Sequence, residues 1–181
     1  MSLATLSFRV RVVPFLVVIF VNPALAQYEP VVSHFAGNAG GSGIADGVGP
    51  AARFAFPSGV WSDGEILYVA DMGNNTIRRI DVTTRSVRTI AGIPGVAGDV
   101  DGPIGSALFR APTVIWGNGS DLYVTSGGSI RRIALSNNAV TTIAGSSTPA
   151  FTGLPPDGIG TQAPFPETRR HLGSRAIPVR A

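Results

Sequence analysis

The chain has 181 residues, 44% apolar and 14% charged, with 23 Gly, 14 Pro and no Cys. That charge is too low for a disordered acidic or basic segment, and the glycines follow no collagen period. The missing cysteines exclude a disulfide framework, a thiolate metal site and a thiol nucleophile; because all 14 basic residues are Arg, Schiff-base chemistry and a P-loop lysine are excluded as well.

The first element in chain order is an export signal over residues 1–26. Arg9 and Arg11 precede the apolar run VVPFLVVIFV (12–21), and Ala24-Leu25-Ala26 supplies a small-x-small cleavage site. The run is shorter than the roughly 20 residues a membrane-spanning helix needs, so no stable membrane insertion is expected after cleavage. Secretion or a periplasmic location follows. Losing those two residues leaves 12 Arg against 11 acids, and four of the 12 (Arg169, Arg170, Arg175, Arg180) crowd the last 13 positions. Residues 27–160 are mildly acidic, with eight Arg and ten Asp or Glu, so no nucleic-acid partner is expected.

Next comes a repeat. Ala36-Gly37, Ala91-Gly92 and Ala144-Gly145 recur 55 and 53 residues apart, and Asp46-Gly47, Asp101-Gly102 and Asp157-Gly158 keep step. So do Phe54 with Phe109, Pro57 with Pro112, Trp61 with Trp116, Leu67-Tyr68-Val69 with Leu122-Tyr123-Val124, and Ile77-Arg78-Arg79-Ile80 with Ile130-Arg131-Arg132-Ile133. Such self-similarity is the mark of a repeat architecture. Each unit reads as four short strands: 59–62, 65–71, 76–82 and 86–92 in the first, 113–117, 121–126, 129–135 and 139–145 in the second. Ser62-Asp63-Gly64, Gly73-Asn74-Asn75 and Asn118-Gly119-Ser120 between them are turn chemistry. No sustained 3.6-residue apolar period appears, so the prediction is all-β. The second strand is apolar on both faces and the fourth carries Arg88 and Thr89, or Thr141 and Thr142, as suits a sheet stacked between neighbours with a polar outer edge.

At these residues the chain resembles the NHL-repeat family of β-propellers. The pattern of Asp-Gly, spaced Ala and Phe, Pro-x-Gly-Val, Leu-Tyr-Val-Ala-Asp, Gly-Asn-Asn and Ile-Arg-Arg-Ile is followed closely over 46–80. The second unit departs where Thr125-Ser126-Gly127-Gly128 replaces the longer first turn, and Val114 stands where the first has Gly59. The resemblance spans about 31–166 and implies propeller blades, each a four-stranded antiparallel meander. It also implies a function among ligand sensors, protein-interaction platforms and a few metal-assisted enzymes.

The expected organisation is a signal peptide (1–26), NHL-like repeats (27–166, units about 36–91 and 91–144 with a partial third from 144) and a disordered Arg-rich tail (167–181). That makes an incomplete ring of two blades plus a leading strand, Val31–Phe35, aligned with the fourth strand of a blade. A propeller closes with 4–8 blades. The ring therefore needs either a homo-oligomer or the missing blades of a longer chain, with the tail then a foreign or out-of-frame reading.

The Gly-rich run 37–43 lacks the Gly-Lys-Ser/Thr ending of a phosphate loop and is read as a connection between units. Asp46, Asp101 and Asp157 in the crossovers, with Asp71, Asn74 and Asn75 in the second-to-third turn, are expected at one end of the ring, where they form the candidate ligand face. Oxygen ligands there suit Ca²⁺; turn capping is the simpler role, and no cofactor is required. Phe54, Trp61, Arg79, Phe109, Trp116 and Arg132 are structural repeat positions, one arginine of each pair packing between blades. The two histidines, His34 and His171, assemble no catalytic set, so no catalytic residue is named. Asn74-Asn75-Thr76 and Asn118-Gly119-Ser120 match glycosylation sequons and are already explained as turns. The resulting expectation is an exported binding or scaffold module for a protein or small ligand. The alternatives are a fragment of a metal-assisted propeller enzyme (lactonase- or lyase-like) and a non-functional reading frame.

Overall fold

A computed structural model describes residues 32–38, 40–146, 158–163 and 165. The export segment, Val31, Asp157, His171 and the tail lie outside the described residues. The chain divides into a unit of residues 1–33 and a unit of residues 34–181, and the second holds the strands found among the described residues.

The described residues are all-β, arranged as two antiparallel five-stranded sheets. The first contains β1 (Gly47–Val48), β2 (Pro57–Ser62), β3 (Ile66–Asp71), β4 (Thr76–Asp81) and β5 (Ser86–Ala91), in the order β1-β5-β4-β3-β2. The second contains β6 (Gly102–Pro103), β7 (Pro112–Gly117), β8 (Asp121–Ser126), β9 (Ser129–Ala134) and β10 (Ala139–Gly145), in the order β6-β10-β9-β8-β7. Four strands of each sheet lie where the repeat puts them. The fifth is additional: after Asp46 or Asp101 the crossover runs antiparallel beside the outer strand, pairing Gly47 with Val87 and Val140 with Gly102.

Both meanders share local irregularities. The inner ladder shifts register between Pro57 and Val60, and again between Pro112 and Ile115. Trp61 stacks on Tyr68 with ring centroids 5.8 Å apart, and Trp116 lies on Tyr123 at 5.6 Å. Side chains opposite one another across an antiparallel pair are the unit of sheet stabilisation, so this aromatic pair is built into each copy.

The core lies between the sheets. Ile66, Tyr68, Ala70, Ile77 and Ala91 of the first meet Ile115, Leu122, Val124, Ile133 and Val140 of the second, with Ala107 and Phe109 from the crossover included. Strands β2 and β3 pack against β7. A side chain at Gly59 would run into the β7 backbone at Thr113–Ile115, and one at Gly117 into the Trp61 ring. A second cluster, Ala52, Val69, Ile80 and Val87, fills the opposite face of the first sheet under Phe35, Ala36 and Phe54.

Residues 32–35 pair with no strand among the described residues, and Phe35 packs under the Arg85 guanidinium at 5.4 Å.

Candidate functional site

Arg78, on β4 and paired with Val69, points into the second cluster and is fully buried. Its Nη1 donates to Asp71 Oδ2 at 2.8 Å and to the Arg53 carbonyl at 2.8 Å. Its Nη2 donates to Asp46 Oδ1 at 2.7 Å and to the Ala45 carbonyl at 3.0 Å. The guanidinium also lies over the Phe54 ring, 4.9 Å from its centroid. Asp71 accepts Ala55 N–H on Oδ1 and the Asn74 amide on Oδ2, and that amide also donates to the Gly43 carbonyl. Charges buried this deeply persist only when paired and hydrogen-bonded; here both guanidinium Nη atoms and both Asp71 oxygens are engaged, while Arg78 Nε has no partner among the described residues.

The second sheet repeats the device with a gap. Arg131, also fully buried, donates to the Leu108 and Val100 carbonyls at 2.9 Å and to Asp101 at 2.6 Å, over the Phe109 ring. Ser126 stands in the place of Asp71, its hydroxyl accepting Arg110 N–H as Asp71 accepts Ala55 N–H. A buried carboxylate in one unit is thus a neutral hydroxyl in the other.

Asp46 and Asp101 lie along the outer edge rather than at the turn end, because the crossovers run down β5 and β10. Each clamps the strand beside it through a threonine: Asp46 accepts the N–H and hydroxyl of Thr89, Asp101 those of Thr142. Burial pushes the Asp101 carboxyl up, but the Thr142 bonds and the Arg131 guanidinium outweigh it and hold it below the ordinary value. Asp46, Asp71 and Asn74 come together through Arg78. Asn75, left-handed at φ 57, reaches across to accept Ala111 N–H at 2.9 Å, while Asp101 sits in the second sheet's own cluster.

The buried arginines are Arg78 and Arg131, not Arg79 and Arg132, which correct the predicted pair. Adjacent strand residues face opposite sides, and the first arginine of each pair faces the crossover that brings the aspartate. Arg132 is only partly covered and pairs with Asp121 at 2.9 Å, which raises its pKa. Among the other repeat positions, Phe109 is fully buried and Trp61 and Phe54 pack against the clusters, whereas Trp116 is 56% exposed.

Phe56 escaped the sequence reading. It sits beside the β3–β4 turn, is 74% exposed and holds φ 48, a left-handed value costly for a bulky side chain. Pro57 after it and the bond from Gly73 N–H to the Ala55 carbonyl fix it there. Ala111, its counterpart, holds φ 44. The one available signal was the Phe56-Pro57 step after Ala52-Arg53-Phe54, the first copy of the repeated Ala-x-Phe run.

A calcium ion fits this donor set poorly. Both Asp71 oxygens are already engaged, one by a guanidinium that a cation would have to displace, and Asp46 and Asp101 each face an arginine. Among the described residues no three His, Cys, Asp or Glu stand grouped for a metal.

No family model matches the chain, and no curated protein matches it. It is similar in fold to an auxiliary nutrient binding protein from Bacteroides ovatus, at 21% identity and a TM-score of 0.54 over 66% of this chain. An auxiliary nutrient binding protein from Bacteroides thetaiotaomicron matches at 22% identity over 66% of this chain and 31% of its own, with a TM-score of 0.49. A protein of unknown function from the same species matches at 26% identity over 59% of this chain and 25% of its own, with a TM-score of 0.48. The chain spans 32% of the length of the Bacteroides ovatus protein.

Proposed function

We propose that the two sheets are neighbouring blades of an NHL-type β-propeller, and that the chain is an exported binding or scaffold module. The observation that carries this reading is one packing element used three times. A side chain at Gly37, Gly92 or Gly145 would run into the ring of Phe54, Phe109 or Phe165, each phenylalanine from the following crossover. The same docking of a crossover phenylalanine thus recurs at three successive Ala-Gly pairs, in keeping with a radial array.

The array has two open flanks. Val60 is 63% exposed although its counterpart Ile115 is 5% exposed, and Trp116 lies open where Trp61 is packed. Further blades, rather than a second copy, are the better occupants. Residues 160–162 already pack on β10, in the place an incoming copy's first crossover would need. Val114 and Ser62 also stand where the internal joint uses Gly59 and Gly117.

The ligand face in this reading is the β3–β4 turn end, with Phe56 and Asn75 meeting the ligand, Asp71 and Asn74 supporting the turn, and Asp46 and Asp101 bracing the crossovers. A protein or small ligand is the expected partner, in keeping with the name of the Bacteroides ovatus neighbour. The carboxylates are committed to arginines, which disfavours the metal-assisted lactonase or lyase alternative. Backbone NMR with oligosaccharide and peptide mixtures tests the proposal: shifts should centre on Phe56 and Asn75. Shifts centred on 63–65 and 118–121, at the opposite end, contradict it, as does calcium-dependent stabilisation abolished by a chelator.

A further inference from the structure

We infer that Asn118 is a site of spontaneous deamidation promoted by the fold. The chain contains one Asn-Gly pair, Asn118-Gly119, in the exposed β7–β8 turn. Asn118 Oδ1 accepts the N–H groups of Ser120 at 3.0 Å and Asp121 at 2.8 Å. Gly119 sits at φ 91, and nothing crowds the space a side chain would fill. Attack by the Gly119 nitrogen on Asn118 Cγ places negative charge on Oδ1, where those two donors already point. Preorganised donors aimed at developing charge lower such a barrier. The Gly119 N–H proton passes to solvent, the N–Cγ bond forms, Nδ2 takes a proton from solvent, and the Cγ–Nδ2 bond breaks to release ammonia. Water then opens the succinimide at either carbonyl, giving aspartate or isoaspartate.

The internal repeat shows that the aspartate product fits. In the first unit the same turn carries Asp63, whose Oδ1 accepts Glu65 N–H at 3.0 Å and Ile66 N–H at 2.8 Å, and Gly64 follows at φ 104. Both turns close with the same backbone bond, Asp63 N–H to the Ile66 carbonyl and Asn118 N–H to the Asp121 carbonyl. Conversion therefore makes the second turn the electrostatic twin of the first, with charge-assisted bonds in place of neutral ones. By contrast, Asn74 is buried and its amide is spent on Asp71 and Gly43.

The test is peptide-mass mapping of the full chain held in mildly alkaline buffer, folded and in urea. The expected result is an amide-to-acid mass gain confined to the Asn118 peptide and several-fold faster when folded, with none in Asn118→Gln. Asn118→Asp should melt at or above the parent temperature. A folded rate below the unfolded rate, or equal gain at Asn74, overturns the inference.

Discussion

Replacing Arg78 by methionine, which keeps most of its length and none of its charge, isolates the buried ion pair. Arg78 and the Asp71 side chain are both fully buried. The substitution leaves that carboxylate with only the Ala55 N–H and the Asn74 amide, and it strips the Arg53 and Ala45 carbonyls of their donor. Removing one member of a buried pair costs about 3–5 kcal/mol, because the stranded charge has no solvent. Against a domain stability of about 5–15 kcal/mol that is a large fraction. Two controls fix the cause. Arg131→Met also strips the Leu108 and Val100 carbonyls of their donor, but the one carboxylate it strands, Asp101, has a side chain 46% exposed, so its loss should stay nearer about 1–3 kcal/mol, the order of lost hydrogen bonds. Arg78→Met with Asp71→Ser copies the hydroxyl of the second unit and should recover part of the loss. Urea unfolding with a shared m-value reads all three. If Arg78→Met costs under about 1 kcal/mol, the buried pair is not what holds the first crossover.

Three further predictions rest on separate contacts. The Asp101 pKa is lowered in the fold, so its stabilisation is complete above the unfolded value of about 4 and is lost as pH falls through the folded value; Asp101→Asn should flatten that acid limb, and an unchanged acid titration of stability would contradict the Thr142–Asp101–Arg131 clamp. Phe56→Gly relieves a left-handed backbone and should stabilise by ~0.5–1 kcal/mol after the glycine entropy cost, with destabilisation in a thermal melt counting against the strain. Gly59→Ala meets the Thr113 carbonyl and should cost ~1–3 kcal/mol by overpacking, while Val114→Ala on the open flank stays within ~0.5 kcal/mol.

The strands were legible because the repeat supplied two aligned readings of each, and alternation then set the turns. The two-residue strands β1 and β6 were not, since a pair inside a Gly-rich crossover carries no period of its own. Arginine parity was missed for a related reason: Ile-Arg-Arg-Ile places apolar residues on both faces, so the pattern alone does not say which arginine turns inward. The ladder register decides it, placing Arg78 opposite Val69 and Arg131 opposite Val124.

The central claim is that one unit occurs twice, with the same face closed in the first and open in the second. Trp61 and Trp116 report on that face directly, so acrylamide quenching of Trp116→Phe and Trp61→Phe variants in dilute solution is the sharpest test. The account predicts a blue-shifted, poorly quenched Trp61 and a red-shifted, readily quenched Trp116. Equal emission and equal quenching of the two would contradict it.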